Sequence, residues 1–194
     1  MKRNLIRNLC IIIFFSHATL TFGQEKYESE HRLNENEVPE NAKVFVSRIS
    51  SSGNIHWYWE EGLNRTSIEA KFKHDKLKYS VEFDTTGVLE DVEIEIAWSS
   101  LDETLKKNIT AELSTSYKKF KVRKVQIQYS GTENDVMKKL KGEETELAVF
   151  TLYELVVKCK NEKGVNLVEF LFDNQGKLIS KHTVIFKNSS NLEY

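Results

Sequence analysis

Apolar and polar residues alternate along this chain in a pattern that occurs twice. Tyr79 to Ile96 (YSVEFDTTGVLEDVEIEI) and Val168 to Ile185 (VEFLFDNQGKLISKHTVI) align at a constant offset of 89, which sets Phe83 on Phe172, Asp84 on Asp173, Gly87 on Gly176 and Leu89 on Leu178. Each copy is an alternating run, a D-x-x-G turn and a second run, the pattern of a β-hairpin. Glycine at the last turn position suits a residue at positive φ, where a Cβ would clash. A hairpin cannot hide its apolar face alone, so each copy needs a cover.

The segments before the hairpins supply one. Pro39 suits a first helical turn, and Val38, Ala42, Phe45, Val46 and Ile49 recur as one helical stripe. Strand-like runs follow at Ile55–Glu60, Thr66–Lys73, Leu77–Asp84 and Val88–Ala97. Within them Ile68, Ala70, Phe72, Tyr79, Val81 and Phe83 alternate with Glu69, Lys71, Lys78, Ser80 and Glu82, the period of an antiparallel sheet with one wet face. The plan then repeats. Ser99, Ser100 and Asp102 offer caps, Leu101, Leu105, Ile109, Leu113, Tyr117 and Phe120 form a second stripe, and Lys118, Lys119 and Lys121 suit that helix's C-terminal end. Strands are expected at Val122–Tyr129, Leu147–Lys160, Leu167–Asp173 and Leu178–Phe186, with a short helix at Asp135–Lys141. Leu147–Val157 and Leu167–Phe172 are apolar at nearly every position, which predicts strands covered on both faces or lying at an interface. The fold class is therefore α+β, a tandem repeat of two helix-plus-antiparallel-sheet modules at residues 38–98 and 99–187. Residues 24–37, polar and without period, read as a flexible leader, and residues 188–194 as a tail.

Residues 1–23 stand outside this pattern. Lys2, Arg3 and Arg7 precede an apolar run, Leu9 to Phe15, and a small-x-small site at Thr21-Phe22-Gly23, the order of a signal peptide. The run is well short of the ~20 residues of a spanning helix, so no integral membrane segment is expected after cleavage. The localisation expected is periplasmic or secreted. Cleavage removes three basic residues and no acid, leaving 25 basic and 29 acidic residues, and takes the net charge from −1 to −4. That balance disfavours nucleic acid as a partner. Cys159 is the one cysteine left, so no intramolecular disulfide staples the fold, and its apolar setting reads as core.

Helix then antiparallel sheet, twice, in an exported and cysteine-poor chain resembles the PepSY-like group of small bacterial periplasmic proteins, related in fold to the β-lactamase inhibitor protein. The residues carrying the resemblance are Trp59-Glu60, Ile68 to Phe72, Tyr79 to Asp84 with Gly87, Tyr153 to Val157, and Phe170 to Asp173 with Gly176. The resemblance runs from about Val38 to Phe186. It implies a fold and a binding role, and brings no catalytic residues with it.

Motifs for chemistry are missing from the sequence. It has no H-E-x-x-H, C-x-x-C, G-x-S-x-G, P-loop or G-x-G-x-x-G, and His31, His56, His74 and His182 are scattered. No catalytic residue, metal ligand or cofactor is expected. Two features stand out. Asp91, Glu93 and Glu95 share one face of a strand, and Glu69 and Glu82 join it from neighbouring strands. Trp57 and Trp59 point one way, to the core, while His56 and Tyr58 point the other, where they could join the acidic face as aromatic anchors. Such a face is either a solvated surface or one that binds a basic partner. The expectation is an exported, non-enzymatic binding or inhibitory module that engages a protein or peptide partner in the envelope through its sheet faces. The alternative is a structural, envelope-maintenance protein with no specific ligand.

Overall fold

The computed structural model describes residues 24–26, 28–50, 54–62, 65–161 and 164–184. The signal segment and the tail lie outside them. Ten strands and three α-helices follow in chain order: β1 (Gln24–Lys26), β2 (Glu28–Leu33), α1 (Glu40–Ile49), β3 (His56–Gly62), β4 (Thr66–His74), β5 (Leu77–Phe83), β6 (Leu89–Glu95), α2 (Glu103–Ser116), β7 (Lys119–Ser130), α3 (Glu133–Leu140), β8 (Phe150–Asn161), β9 (Gly164–Asp173) and β10 (Leu178–Val184).

All ten strands belong to one sheet, in the order β1-β10-β9-β8-β7-β6-β5-β4-β3-β2. The two stretches expected as modules are thus joined edge to edge, through antiparallel pairing of Val92–Glu95 with Gln126–Tyr129. Their helices pack on the same side of the sheet over two apolar clusters. Phe45 and Val46 of α1 meet Trp57, Ile68, Val81, Phe83 and Val92, and α3 adds Val136 and Met137. Leu105, Ile109 and Leu113 of α2 meet Leu155, Val157, Phe170 and Phe172, with Cys159 buried among them. Fully burying one such side chain is worth roughly 1.5–3 kcal/mol, so these stripes hold the helices to the sheet.

The turns between strands dock on the helices in the same manner in both halves. Gly87 has φ +86° and Gly176 φ +81°. Asp84 Oδ1 accepts from the Thr86 and Val88 amides at 2.8 and 2.9 Å, and Asp173 Oδ1 from the Gln175 and Lys177 amides, both at 2.9 Å. An asparagine on the overlying helix then grips each turn: Asn41 Nδ2 donates to the Gly87 carbonyl and Asn108 Nδ2 to the Gln175 carbonyl, both at 2.7 Å.

Three expectations need correction. The leader at 24–37 supplies β2, which pairs with Trp57–Gly62 of β3, and β1, which pairs in parallel with His182–Val184. Backbone pairing needs no apolar alternation, so its polar composition hid it. The second helix stops at Ser116, with Asp102 capping its start, and Lys119 and Lys121 lie in β7 rather than at a helix end. The long pairing of β7 with β8, eleven residue pairs beginning at Lys119↔Lys160, claims the backbone there. β8 and β9 bury only their helix-facing side chains; Leu152, Val156 and Leu171 on the other face are partly exposed, and Phe150 is 67% exposed.

The order of strands dictates a curl. β1 and β2 occupy opposite edges of the sheet yet are separated by one residue. Lys26 and Glu28 can lie no more than about 7 Å apart, whereas eight flat strands, β3 to β10, would span roughly 34 Å. The sheet therefore rolls until its edges approach one another at this segment. The helices cover its outer face, so the face carrying the alternating polar residues is turned inward.

Candidate binding site

Register gathers the inward face from seven strands. Glu30 of β2 pairs with Glu60 of β3, Tyr58 of β3 with Glu69 of β4, Glu69 with Glu82 of β5, and Glu82 with Asp91 of β6. Glu93 then lies opposite Gln128 of β7, and Gln126 of β7 opposite Glu154 of β8. All seven residues singled out from the sequence, Glu69, Glu82, Asp91, Glu93, Glu95, His56 and Tyr58, fall on this face. The expected solvent-wet surface is corrected by their burial: Glu69, Asp91 and Glu93 are 4%, 8% and 7% exposed. Alternation assigns a residue to a face, but the curl decides whether that face meets water. Glu95 sits farther out, paired with Lys78 Nζ at 3.2 Å.

The face divides into two charge groups. In the first, Lys71 Nζ lies 2.8 Å from Glu69 Oε2 and 3.8 Å from Glu60 Oε1, contacts Glu30, and stands 5.0 Å over the Tyr58 ring. Glu30, Glu60 and Glu69 are the one carboxylate trio among the described residues close enough to share a metal ion. The ammonium of Lys71 already occupies that position as counter-ion. Burial, then the hydrogen bond with Glu69, pushes Glu60 up to about 11. Burial also acts on Glu69, but hydrogen bonds from Glu60 and Lys71 outweigh it and hold Glu69 below the ordinary range. One proton thus resides between the two, on Glu60. Although unequal, the pair is not presented as acid and base, because Ser80 and Lys71 engage the two oxygens of Glu69.

The second group surrounds a pocket of about 130 Å³ lined by Glu60, Gly62, Arg65, Ser67, Glu82, Glu93, Gln128 and Glu154. Arg65, half exposed at the rim, pairs with Glu82 and Glu90. Deeper in, Gln126 Nε2 donates to Glu93 Oε2 at 2.7 Å, and Gln128 Nε2 donates to Asp91 Oδ2 at 3.1 Å. Asp91 Oδ1 is buried with no hydrogen-bond partner among the described residues. Burial and then repulsion from Glu82 push Asp91 up to about 8, and burial with repulsion from Glu154 and Asp91 raises Glu93 well above the carboxylate range. The pocket is acidic in composition. A wider hollow of about 630 Å³ beside α1 mixes Arg32 and Lys43 with Glu35 and Glu40, and Lys43 is engaged by Glu40, so its lining favours neither sign of charge.

Sequence reasoning missed Glu30, Glu60, Arg65, Gln126, Gln128 and Glu154. Glu60 keeps step with His56 and Tyr58, and Gln126 with Gln128, so period two assigns them to the face once the pairing of β6 with β7 is known. Glu154 is the single charge within an apolar run, Leu147 to Val157. Glu30 carried no signal, because its strand has no pattern.

Helices on the outer face of one curled, mostly antiparallel sheet define an α+β architecture that solved proteins share. The crystal structure of a DUF2874 family protein from Bacteroides ovatus superposes with a TM-score of 0.51 at 15% identity, covering 75% of this chain and 88% of that one. A second DUF2874 family protein, from Bacteroides uniformis, gives 0.51 at 11% identity, covering 75% and 89%. A BLIP-like protein from Bacteroides fragilis gives 0.47 at 17% identity, covering 81% and 93%. At these identities the likeness is one of fold. No protein-family profile and no curated protein matches the sequence. No helix among the described residues is long and apolar enough to cross a membrane.

Proposed function

We propose that the chain is an exported, non-enzymatic binding module that engages a basic protein or peptide partner through the mouth of its curled sheet. The observation that carries this reading is the pocket lined by Glu60, Glu82, Glu93 and Glu154, carboxylates that the curl brings together from four strands. A partner bringing positive charge would replace protons that the folded chain otherwise holds there, and rim charges such as Glu90 and Glu95 would steer its approach. The basic, apolar and cleavage segments at the N-terminus support a periplasmic or secreted site of action. The matched turns at Gly87 and Gly176 support a tandem repeat within the single sheet, and the PepSY-like kinship belongs to the same reading.

One observation favours the alternative, a structural protein with no specific ligand. Lys71 and the Glu60 proton neutralise the first carboxylate group from within, which a merely self-sufficient interior would also do. Capture from periplasmic extract with the signal-less chain as bait separates the two. The association rate of a captured partner should fall steeply with ionic strength, and the slope should flatten in a Glu90→Gln/Glu95→Gln variant. Failure to retain any partner, or a partner whose association ignores salt, favours the structural role.

A further inference from the structure

One end of the inner face carries the opposite sign of charge. Lys119 of β7 stands directly across from Lys160 of β8, and Lys121 from Lys158, so four lysines form a two-by-two block. Phe120, Val122, Val157 and Cys159 alternate with them and belong to the apolar cluster under α2, so the block lies on the face turned away from the helices. All four lysines are exposed, and no carboxylate among the described residues pairs with any of them. Other cations of the sheet are answered: Lys71 meets Glu30, Glu60 and Glu69, Arg65 meets Glu82 and Glu90, and Lys78 meets Glu95. Like charges directly opposite one another on a sheet are destabilising, and this block contains two such pairs. Guarding an edge does not account for it, because lysines used that way sit on the outermost strand. Lys158 and Lys160 lie on β8, between β7 and β9.

The spacing of the block selects a partner. Successive lysines on one strand are two residues apart, about 7 Å, the same interval as alternate side chains of any extended peptide. The neighbours in register on β9 are Leu167 and Val165, aliphatic side chains rather than the aromatic platforms on which nucleic-acid bases stack. The inner face of a curl is concave, so a single extended chain follows it more closely than a planar bilayer does. Glu154 lies four residues from Lys158 along β8, roughly 14 Å, which exceeds the ~8 Å screening length at physiological ionic strength. The block therefore presents a positive field of its own, on a chain whose acids outnumber its lysines and arginines.

We propose that Lys119, Lys121, Lys158 and Lys160 form a docking surface for an extended acidic peptide segment with carboxylates at alternate positions. Each of two carboxylates, two residues apart, settles between the two ammonium groups of one cross-strand pair, and the segment runs along β7 and β8. The surface is distinct from the carboxylate pocket and works whether or not that pocket binds a basic group.

Fluorescence anisotropy of a dye-labelled peptide of alternating Glu and Thr, titrated with the mature chain, tests this. Saturable binding that weakens steeply with salt is expected, and none by the peptide of alternating Gln and Thr. A peptide of the same composition with its Glu residues in one block and its Thr residues in another should bind more weakly. Lys158→Gln/Lys160→Gln should weaken binding about tenfold, and Lys119→Gln/Lys121→Gln should do the same. Both variants should melt no earlier than wild type, because each removes like charges that face each other. Glu90→Gln/Glu95→Gln, at the mouth beside the carboxylate pocket, should leave the affinity within about twofold. Absence of saturable binding, equal binding of the Gln peptide, or affinity unchanged in both lysine variants overturns the proposal. So does tighter binding of oligothymidine or of phosphatidylglycerol vesicles, which would assign the block to a phosphate polymer or a membrane. None of these outcomes bears on capture of a basic partner by the carboxylate pocket.

Discussion

Glu60 on β3 and Glu154 on β8 line one pocket although five strand-to-strand steps separate them in the sheet. In a flat sheet those steps would hold them roughly 24 Å apart. Their meeting is the clearest consequence of the curl, and the curl turns an ordinary polar sheet face into a charged interior. Each carboxylate there loses water, so its neighbours and its protons decide its state.

The first prediction follows from Asp91. Its folded pKa of about 8 lies above the ordinary 3.8, so the folded chain holds a proton that the unfolded chain has released. The associated stability is fully present below about pH 4 and is lost as pH rises through 8, with no further change above. Asp91→Asn should flatten that decline and raise the melting temperature relative to wild type above pH 8. Thermal melts from pH 5 to 9 measure it; parallel curves for the two proteins would mean Asp91 ionises freely.

Much of this fold is legible in the sequence, and the illegible part has a single cause. Ile68-x-Ala70-x-Phe72, the Leu105-Ile109-Leu113 stripe and the two D-x-x-G turns report local periodicity, which the sequence carries directly. The curl depends on Gln24–Lys26 and Glu28–Leu33 reaching opposite edges, and that is a matter of backbone pairing between distant segments. Side-chain pattern contains no trace of it. The faces assigned to Asp91 and Glu93 were therefore right while their surroundings were not, and Glu30, in a strand without pattern, stayed hidden.

The docked turns give the second prediction. A Cβ on Gly87 would lie 2.3 Å from Asn41 Oδ1 and 2.6 Å from the Pro39 Cβ, and one on Gly176 would lie 2.8 Å from the Asn108 Cβ. Added to the left-handed backbone, this makes Gly→Ala at either site cost roughly 1 kcal/mol or more, with the larger loss at Gly87, where two neighbours must move. Urea titration reads the difference. Unchanged midpoints would show that the turns tolerate a side chain and are not tightly held.

The third concerns the closure at β1. Its three residues pair with His182–Val184, and β2 pairs separately with β3. Deleting Gln24–Lys26 should speed amide exchange along Leu178–Val184 and leave Trp57–Gly62 protected, because short edge pairings open locally. Equal acceleration in both strands would mean that β1 and β2 hold the edges as one unit.

The last prediction concerns Lys71, whose removal leaves three carboxylates around an empty centre. Glu30, Glu60 and Glu69 were held together by one ammonium, and Glu69, nearly fully buried, cannot turn to water. Breaking a buried pair by removing one partner costs about 3–5 kcal/mol, but Lys71 is 36% exposed, so solvent screening reduces the expected loss to roughly 1–3 kcal/mol. Lys71→Met retains most of the packing and removes the charge, which isolates this effect. The sign of its pH dependence is fixed by Glu69, which Lys71 helps hold below its ordinary range. Stability of that origin is present above the ordinary carboxylate pKa, 4.5, and lost as pH falls through the folded value. Wild type and Lys71→Met should therefore differ most near neutrality and converge in acid, where Glu69 takes up a proton and no longer needs the ammonium. Denaturant unfolding of both proteins at pH 7 and at successively lower pH, down to where the wild type loses its advantage, measures the gap, and a gap that stayed constant over the whole acid range would show that Lys71 acts by packing alone.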